Sequence, residues 1–191
     1  MKRVIILLLM FFVFNSAYSQ NIVPGEGVGP FKIGQSYEEM SFILGFKGEI
    51  KTYDDYLNEV LFTEDPADAL ECLIGFDYYI KFEHLLTLPV SYVYFKNNEI
   101  NQIRVTSLPV YYRSIAEDII TLEEVHFWEY KEKVHEVFGE PDLVKDYNDF
   151  MFKAWFYFKK GIVLNFRDGK YRAAHIYKFP GAGPVREFSN N

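Results

Sequence analysis

The chain has 191 residues, with 20 Lys plus Arg against 27 Asp plus Glu, and is 49% hydrophobic and 25% charged. That composition fits one globular domain or two very small ones, and it excludes a disordered tail, a collagenous repeat and a multi-domain enzyme. Aromatic residues make up 19%, with 15 Tyr and 19 Phe, more bulk than a core of this size must hold, so some rings are expected to line a surface.

Lys2 and Arg3 precede Val4 to Phe14, eleven apolar residues without a break, and then Asn15-Ser16-Ala17-Tyr18-Ser19-Gln20. A basic start, an apolar stretch of this length and small residues at Ala17 and Ser19 read as a signal peptide over 1–19, cut after Ser19. The run is too short to span a bilayer, and an uncleaved interfacial anchor is the alternative. Removing those 19 residues from 191 leaves 172, with 18 basic and 27 acidic side chains and a charge of −9. An acidic surface repels phosphate backbones, so no nucleic acid partner is expected. Cys72 is the one cysteine. It cannot form an internal disulfide, lies far from the cut where a lipid would attach, and reads as a small core residue between Leu70 and Leu73-Ile74. No transmembrane segment is expected in the mature chain, which should be exported to the periplasm or released.

Gly25, Gly27 and Gly29-Pro30 punctuate the backbone before Phe31-Lys32-Ile33-Gly34. Ser36 followed by Glu39 makes a capping box, and Met40, Ile43 and Leu44 supply the apolar stripe of a short helix stopped by Gly45. Glu64-Asp65-Pro66-Ala67-Asp68 reads as a solvated loop or helix start. Tyr78 to Phe82, Val90 to Phe95 and Ile100 to Thr106 read as strands, the last two joined through Asn97-Asn98. Residues 107–121, with Leu108-Pro109-Val110, read as a joint.

Trp128 to Gly139 predicts a second helix, in which Val134, Val137, Phe138 and Gly139 stand 94 residues after Met40, Ile43, Leu44 and Gly45. That match is evidence for an internal repeat. Phe152 to Phe158, Ile162 to Phe166 and Tyr171 to Tyr177 read as the strands that follow, with Lys159-Lys160-Gly161 and Asp168-Gly169 as their turns. The tail, 181–191, is expected to be mobile. The fold class is therefore α+β, with two tandem helix-plus-antiparallel-meander units over 20–106 and 122–180. Their strands can form one continuous sheet with the helices on one face. So few short helices would leave a sheet face partly open.

The stretch from Gly27 to Met40, continuing to Leu44-Gly45, resembles small secreted bacterial proteins of the β-lactamase-inhibitor-like and BamE-like group. Their pattern is a short strand, an Ile-Gly-x-Ser/Thr-x-x-Glu start to a helix closed by Leu-Gly, and a meander ending in a hairpin. Phe166-Arg167-Asp168-Gly169-Lys170-Tyr171 looks like that hairpin, with Phe95 to Ile100 as its weaker counterpart. The resemblance implies tandem helix-plus-sheet units and a non-catalytic binding role. The chain departs from it in having neither the disulfides of the inhibitors nor a lipidation cysteine at the cut.

None of His84, His126, His135 and His175 belongs to a zinc-protease pattern, and one cysteine makes no thiolate cluster, so no metal and no cofactor is expected. No Gly-x-Ser-x-Gly turn is present, and no catalytic residue is assigned. Asp146 and Asp149 lack the glycine and terminal glutamate of a calcium loop and read as a polar turn. Gly25, Gly27 and Gly29 lack a following Lys-Ser pair and read as turn residues rather than a phosphate loop.

In Ala154-Trp155-Phe156-Tyr157-Phe158, a period of two puts Phe156 and Phe158 on a core side, leaving Trp155 and Tyr157 outward. The same split sets Val93 and Phe95 inward against Tyr92 and Tyr94, and Ile103 and Val105 inward against Gln102 and Arg104. Tyr, Trp and Arg dominate binding hot spots. Tyr92, Tyr94, Gln102, Arg104, Trp155, Tyr157 and Asn165 are therefore the candidate binding residues, on an exposed aromatic sheet face. The alternative is that these rings pack beneath loops or against the other half. The expected function is an exported non-catalytic protein-binding module of inhibitor, immunity or envelope-accessory type, with a basic or amphipathic protein partner in the envelope or outside the cell. Competing readings are a small secreted hydrolase with dispersed catalytic residues, such as His135 or His175, and a carrier of a small apolar ligand.

Overall fold

Among the described residues, two short amphipathic helices and two runs of alternating strands each have one face to bury, and the helices bury theirs against a shared sheet. The computed structural model describes residues 21–45, 47–55, 75–82, 90–106, 121–147 and 152–177. The signal segment, the acidic stretch 64–68, Cys72, His84, positions 107–120 of the joint, Asp149 and the tail lie outside the described residues.

The described chain begins with strands β1 (Ile22–Val23), β2 (Gly27–Val28) and β3 (Phe31–Lys32), paired in that order. A Cβ at Gly27 would lie 2.0 Å from the Phe31 carbonyl oxygen, so this pairing requires glycine. Helix α1 (Tyr37–Leu44) starts on the predicted box: the Ser36 hydroxyl accepts from the Glu39 amide at 3.2 Å, and the Ser36 amide donates to the Glu39 carboxylate at 2.9 Å. These bonds hold the Glu39 carboxyl below its ordinary titration range. Gly45, at φ +71°, closes the helix.

The rest of the first half is β4 (Ile50–Thr52), β5 (Tyr78–Lys81), β6 (Val90–Lys96) and β7 (Glu99–Thr106). The second half runs β8 (Thr121–Leu122), β9 (Val125–His126), α2 (Lys131–Phe138), β10 (Leu143–Tyr147), β11 (Phe152–Tyr157), a 3-10 turn (Phe158–Lys160), β12 (Ile162–Arg167) and β13 (Lys170–Tyr177). Both predicted hairpin turns have positive φ at their two central residues, 53° and 63° at Asn97-Asn98 and 52° and 73° at Asp168-Gly169. That twist matches the strands they join.

Eight antiparallel strands form one sheet in the order β10-β11-β12-β13-β7-β6-β5-β4. Its centre is the pairing of β7 with β13, where Ile103 faces Ile176 and Arg104 faces His175, so the sheet is continuous across the two halves. Met40 of α1 and Val134 and Phe138 of α2 belong to one buried core with Ile80, Val93, Phe95, Ile103, Trp155, Leu164 and Ile176. Both helices thus cover the same sheet face.

The leads into the two helices are tied to the sheet by the same bonds. Gly34 N donates to Ile100 O at 2.7 Å and Ile100 N to Gln35 O at 2.8 Å, while Trp128 N donates to Tyr171 O at 2.7 Å and Tyr171 N to Glu129 O at 2.8 Å. The side-chain bonds recur as well: Lys32 N donates to Gln35 Oε1 at 3.2 Å, and His126 N to Glu129 Oε2 at 2.9 Å.

Three local expectations are corrected. Trp128 to Tyr130 are not helical: Trp128 sits in a turn with φ +74° and Tyr130 bridges Lys170, so the backbone bonds to β13 keep this stretch out of the helix and α2 begins at Lys131. Asp146 lies within β10 rather than in a turn and pairs with Lys153 on β11. Ile43 is 44% exposed, so the buried stripe of α1 rests on Met40 with Leu44 packed against the core.

Candidate functional site

Strand pairing brings part of the predicted set together on the sheet face opposite the helices. Across β5, β6, β7 and β13, one row reads Tyr79, Tyr94, Gln102, Tyr177, and the adjacent row reads Lys81, Tyr92, Arg104, His175. Asn165 lies on this face as well, opposite Ala173 and Ala154.

The first half of this face is a cluster of touching rings. Phe76 is 5.1 Å from Tyr94 and 6.0 Å from Tyr79, and Tyr79, Tyr92 and Tyr94 lie within 6.0 Å of one another. Tyr53, 47% exposed and 5.6 Å from Phe76, continues the cluster to the surface. Two cations bracket the Tyr92 ring, with Lys81 Nζ at 5.9 Å and Arg104 Cζ at 5.5 Å from its centroid, inside the range of cation–π attraction. Lys81 is exposed, and Phe76, Tyr92 and Arg104 are half-buried. The accessible part is therefore an aromatic edge carrying positive charge, on a floor made by Tyr79 and Tyr94.

Gln102 and His175 continue these rows on the same face, fully buried, with Gln102 Nε2 at 3.0 Å from His175 Nδ1. In this orientation the amide donates and the ring nitrogen accepts, a polar link between β7 and β13 at the seam of the sheet.

The predicted residues divide. Tyr92 and Arg104 are partly accessible. Tyr94, Gln102 and Asn165 are on the same face but buried, which corrects their expected exposure. Trp155 and Tyr157 are on the other face, under α2, and are buried too: Trp155 packs 4.6 Å from Phe166, Tyr157 packs 5.4 Å from Phe138, and the Tyr157 hydroxyl donates to Gly139 O at 3.1 Å. Burial, reinforced by Glu140 and Asp142, pushes the Tyr157 hydroxyl well above its ordinary range. Phe156, read as core, is buried, and it packs with Ala154, Val163 and Tyr177 on the helix-free face. The cause is that both faces are buried over these strands, so polarity does not distinguish them. The face away from the helices is partly open, as expected: Phe76, Tyr92, Arg104, Thr106 and Leu143 are half-buried, while Tyr79, Tyr94, Gln102, Asn165 and His175 are buried.

Sequence reasoning missed Tyr53, Phe76, Tyr79 and Lys81. Tyr79 was within reach, because an antiparallel neighbour paired to Tyr94 shares its face; Tyr53 and Phe76 stand in stretches with no strand alternation. Among the described residues no three His, Cys, Asp or Glu side chains converge on a point that could hold a metal ion, and no helix is long and apolar enough to cross a membrane. His135, on α2, pairs with Glu140 at 2.9 Å.

No protein-family model, curated protein or solved structure matches the chain.

Proposed function

We propose that the chain is an exported, non-catalytic protein-binding module, built as two tandem helix-plus-meander units in the manner of the small secreted proteins it resembles, and that it docks its partner on the aromatic edge around Tyr92. The observation that carries this reading is the bracketed ring cluster of Tyr53, Phe76, Tyr79, Tyr92 and Tyr94 with Lys81 and Arg104.

The tandem reading is supported by the recurring bonds at the two helix leads, and it supplies an internal control. Hairpin register aligns Tyr79, Tyr92 and Tyr94 with Ala154, Val163 and Asn165 of the second unit. The second unit completes the same sheet face without those tyrosines, so folding alone does not call for them. Tyrosine and arginine offer large, rigid contact area with polar tips, which suits a recognition surface. At this edge the local cations, rather than the −9 net charge that favours a basic or amphipathic partner, would set the contact, with apolar side chains on Tyr53 and Phe76 and carboxylates beside Lys81 and Arg104. Export is supported by the Lys2 to Ser19 pattern.

The test is capture from envelope and culture fractions of the native cell, with residues 20–191 as bait and a Tyr53→Ser, Tyr92→Ser, Lys81→Glu variant as control. A single enriched protein that the variant loses is the expected result. No enriched protein, or one retained equally by the variant, refutes the reading.

A further inference from the structure

We infer that the outer surface of α1 is the contact of a symmetric homodimer, in which Phe42 of one copy packs into the groove beside Phe42 of a second. Phe42 is 88% exposed, and a whole phenyl ring left in water forgoes the stabilisation its burial would give. The fold does not require it there. Helix α2 has the same length and the same seat on the sheet, and at the matching place it carries Glu136, exposed and paired with Lys133 at 3.3 Å.

Beside Phe42 lies an open groove of about 550 Å³ lined by Tyr37, Glu38, Ser41, Phe42, Gly45 and Lys47. Gly45 keeps one end clear: apart from its chain neighbours, no atom of the described residues lies within 4 Å of where its Cβ would stand. Knob and hollow therefore share one patch. The patch also carries an acid, Glu38, before Phe42 and a base, Lys47, after it, both exposed. A two-fold axis at Phe42 sets Glu38 of each copy against Lys47 of the other, twice over. A patch with a knob, a hollow and opposite charges on its two flanks is complementary to itself, which is the requirement of an isologous interface. The second copy is the occupant that meets all three features. Because α1 is on the sheet face opposite Tyr92, the dimer leaves two aromatic edges free, and a partner with repeated sites would be held bivalently.

The experiment is sedimentation equilibrium of residues 20–191 from about 1 µM to 1 mM, the span over which weak interfaces fill. The expected result is a monomer–dimer equilibrium whose dissociation constant rises at least about tenfold in Phe42→Glu, as for loss of a central aromatic anchor, with an unchanged circular dichroism spectrum. Glu38 also accepts from Asn98 Nδ2 at 3.0 Å, so Glu38→Lys is read together with its reversal partner. Glu38→Lys alone weakens the dimer, and Glu38→Lys with Lys47→Glu restores it, which a folding defect would not do. A monomer at every concentration, a dimer indifferent to Phe42→Glu, or a double reversal as weak as the single one overturns the inference.

Discussion

Replacing Tyr171 with phenylalanine should stabilise the protein. Tyr171, on β13, is buried in the core beneath the helices, its ring stacks on Phe127 at 4.6 Å, and its hydroxyl is buried with no hydrogen-bond partner among the described residues. Burial alone drives that hydroxyl far above the ordinary tyrosine range. Ile100, which makes the same pair of backbone bonds in the first half, is apolar. The substitution removes one oxygen and keeps the ring stack, so it relieves the desolvation penalty of an unpaired hydroxyl, about 1–3 kcal/mol, at little packing cost. With a urea slope of about 2 kcal/mol/M, the unfolding midpoint should rise by roughly 0.5–1.5 M with the slope unchanged. A midpoint that falls would show that the hydroxyl has a partner in the folded state and would refute the reasoning.

Ser36→Ala should cost about 0.5–2 kcal/mol by removing the α1 cap. Because Glu39 titrates below its unfolded value, the cap's contribution is full above the ordinary carboxylate range and is lost as pH falls through the lowered pKa, a dependence that Glu39→Gln should abolish in acid melts. At the alkaline end, Tyr157 and Tyr171 both have raised pKa values against an ordinary 10.0. Stability should therefore hold below pH about 10 and decline above it as tyrosines ionise in the unfolded chain, with Tyr171→Phe flattening that decline in melts at stepped pH. Gly161→Ala should destabilise by more than about 1 kcal/mol, since Gly161 has φ +66° and an added Cβ would lie 2.5 Å from Tyr177 O; an unchanged thermal midpoint would contradict this.

Both described helices and the six inner strands of the large sheet are legible in the sequence because each carries a cap, a turn pair or a run of alternation. The edge strands β4 and β10 were missed: Ile50-Lys51-Thr52 is three residues long, and Leu143 to Tyr147 places charged residues beside apolar ones. Facing was the harder problem. Ala154 to Phe158 carries aromatics on both sides, and only contact with Phe138 decides that Tyr157 faces α2. Tyr92, Tyr94, Gln102 and Arg104 were placed on one face correctly, because Val93, Phe95, Ile103 and Val105 left the other side unambiguous. Their burial was not legible, since alternation reports side and not depth.

The central claim is that a protein partner docks on the edge formed by Tyr53, Phe76, Tyr92, Lys81 and Arg104. Amide hydrogen exchange on the chain with and without the captured partner tests it most directly. Protection concentrated in residues 53–55, 76–81 and 90–96, with α2 and β10 unchanged, is the predicted result. Protection that leaves those segments unchanged and falls elsewhere would contradict it.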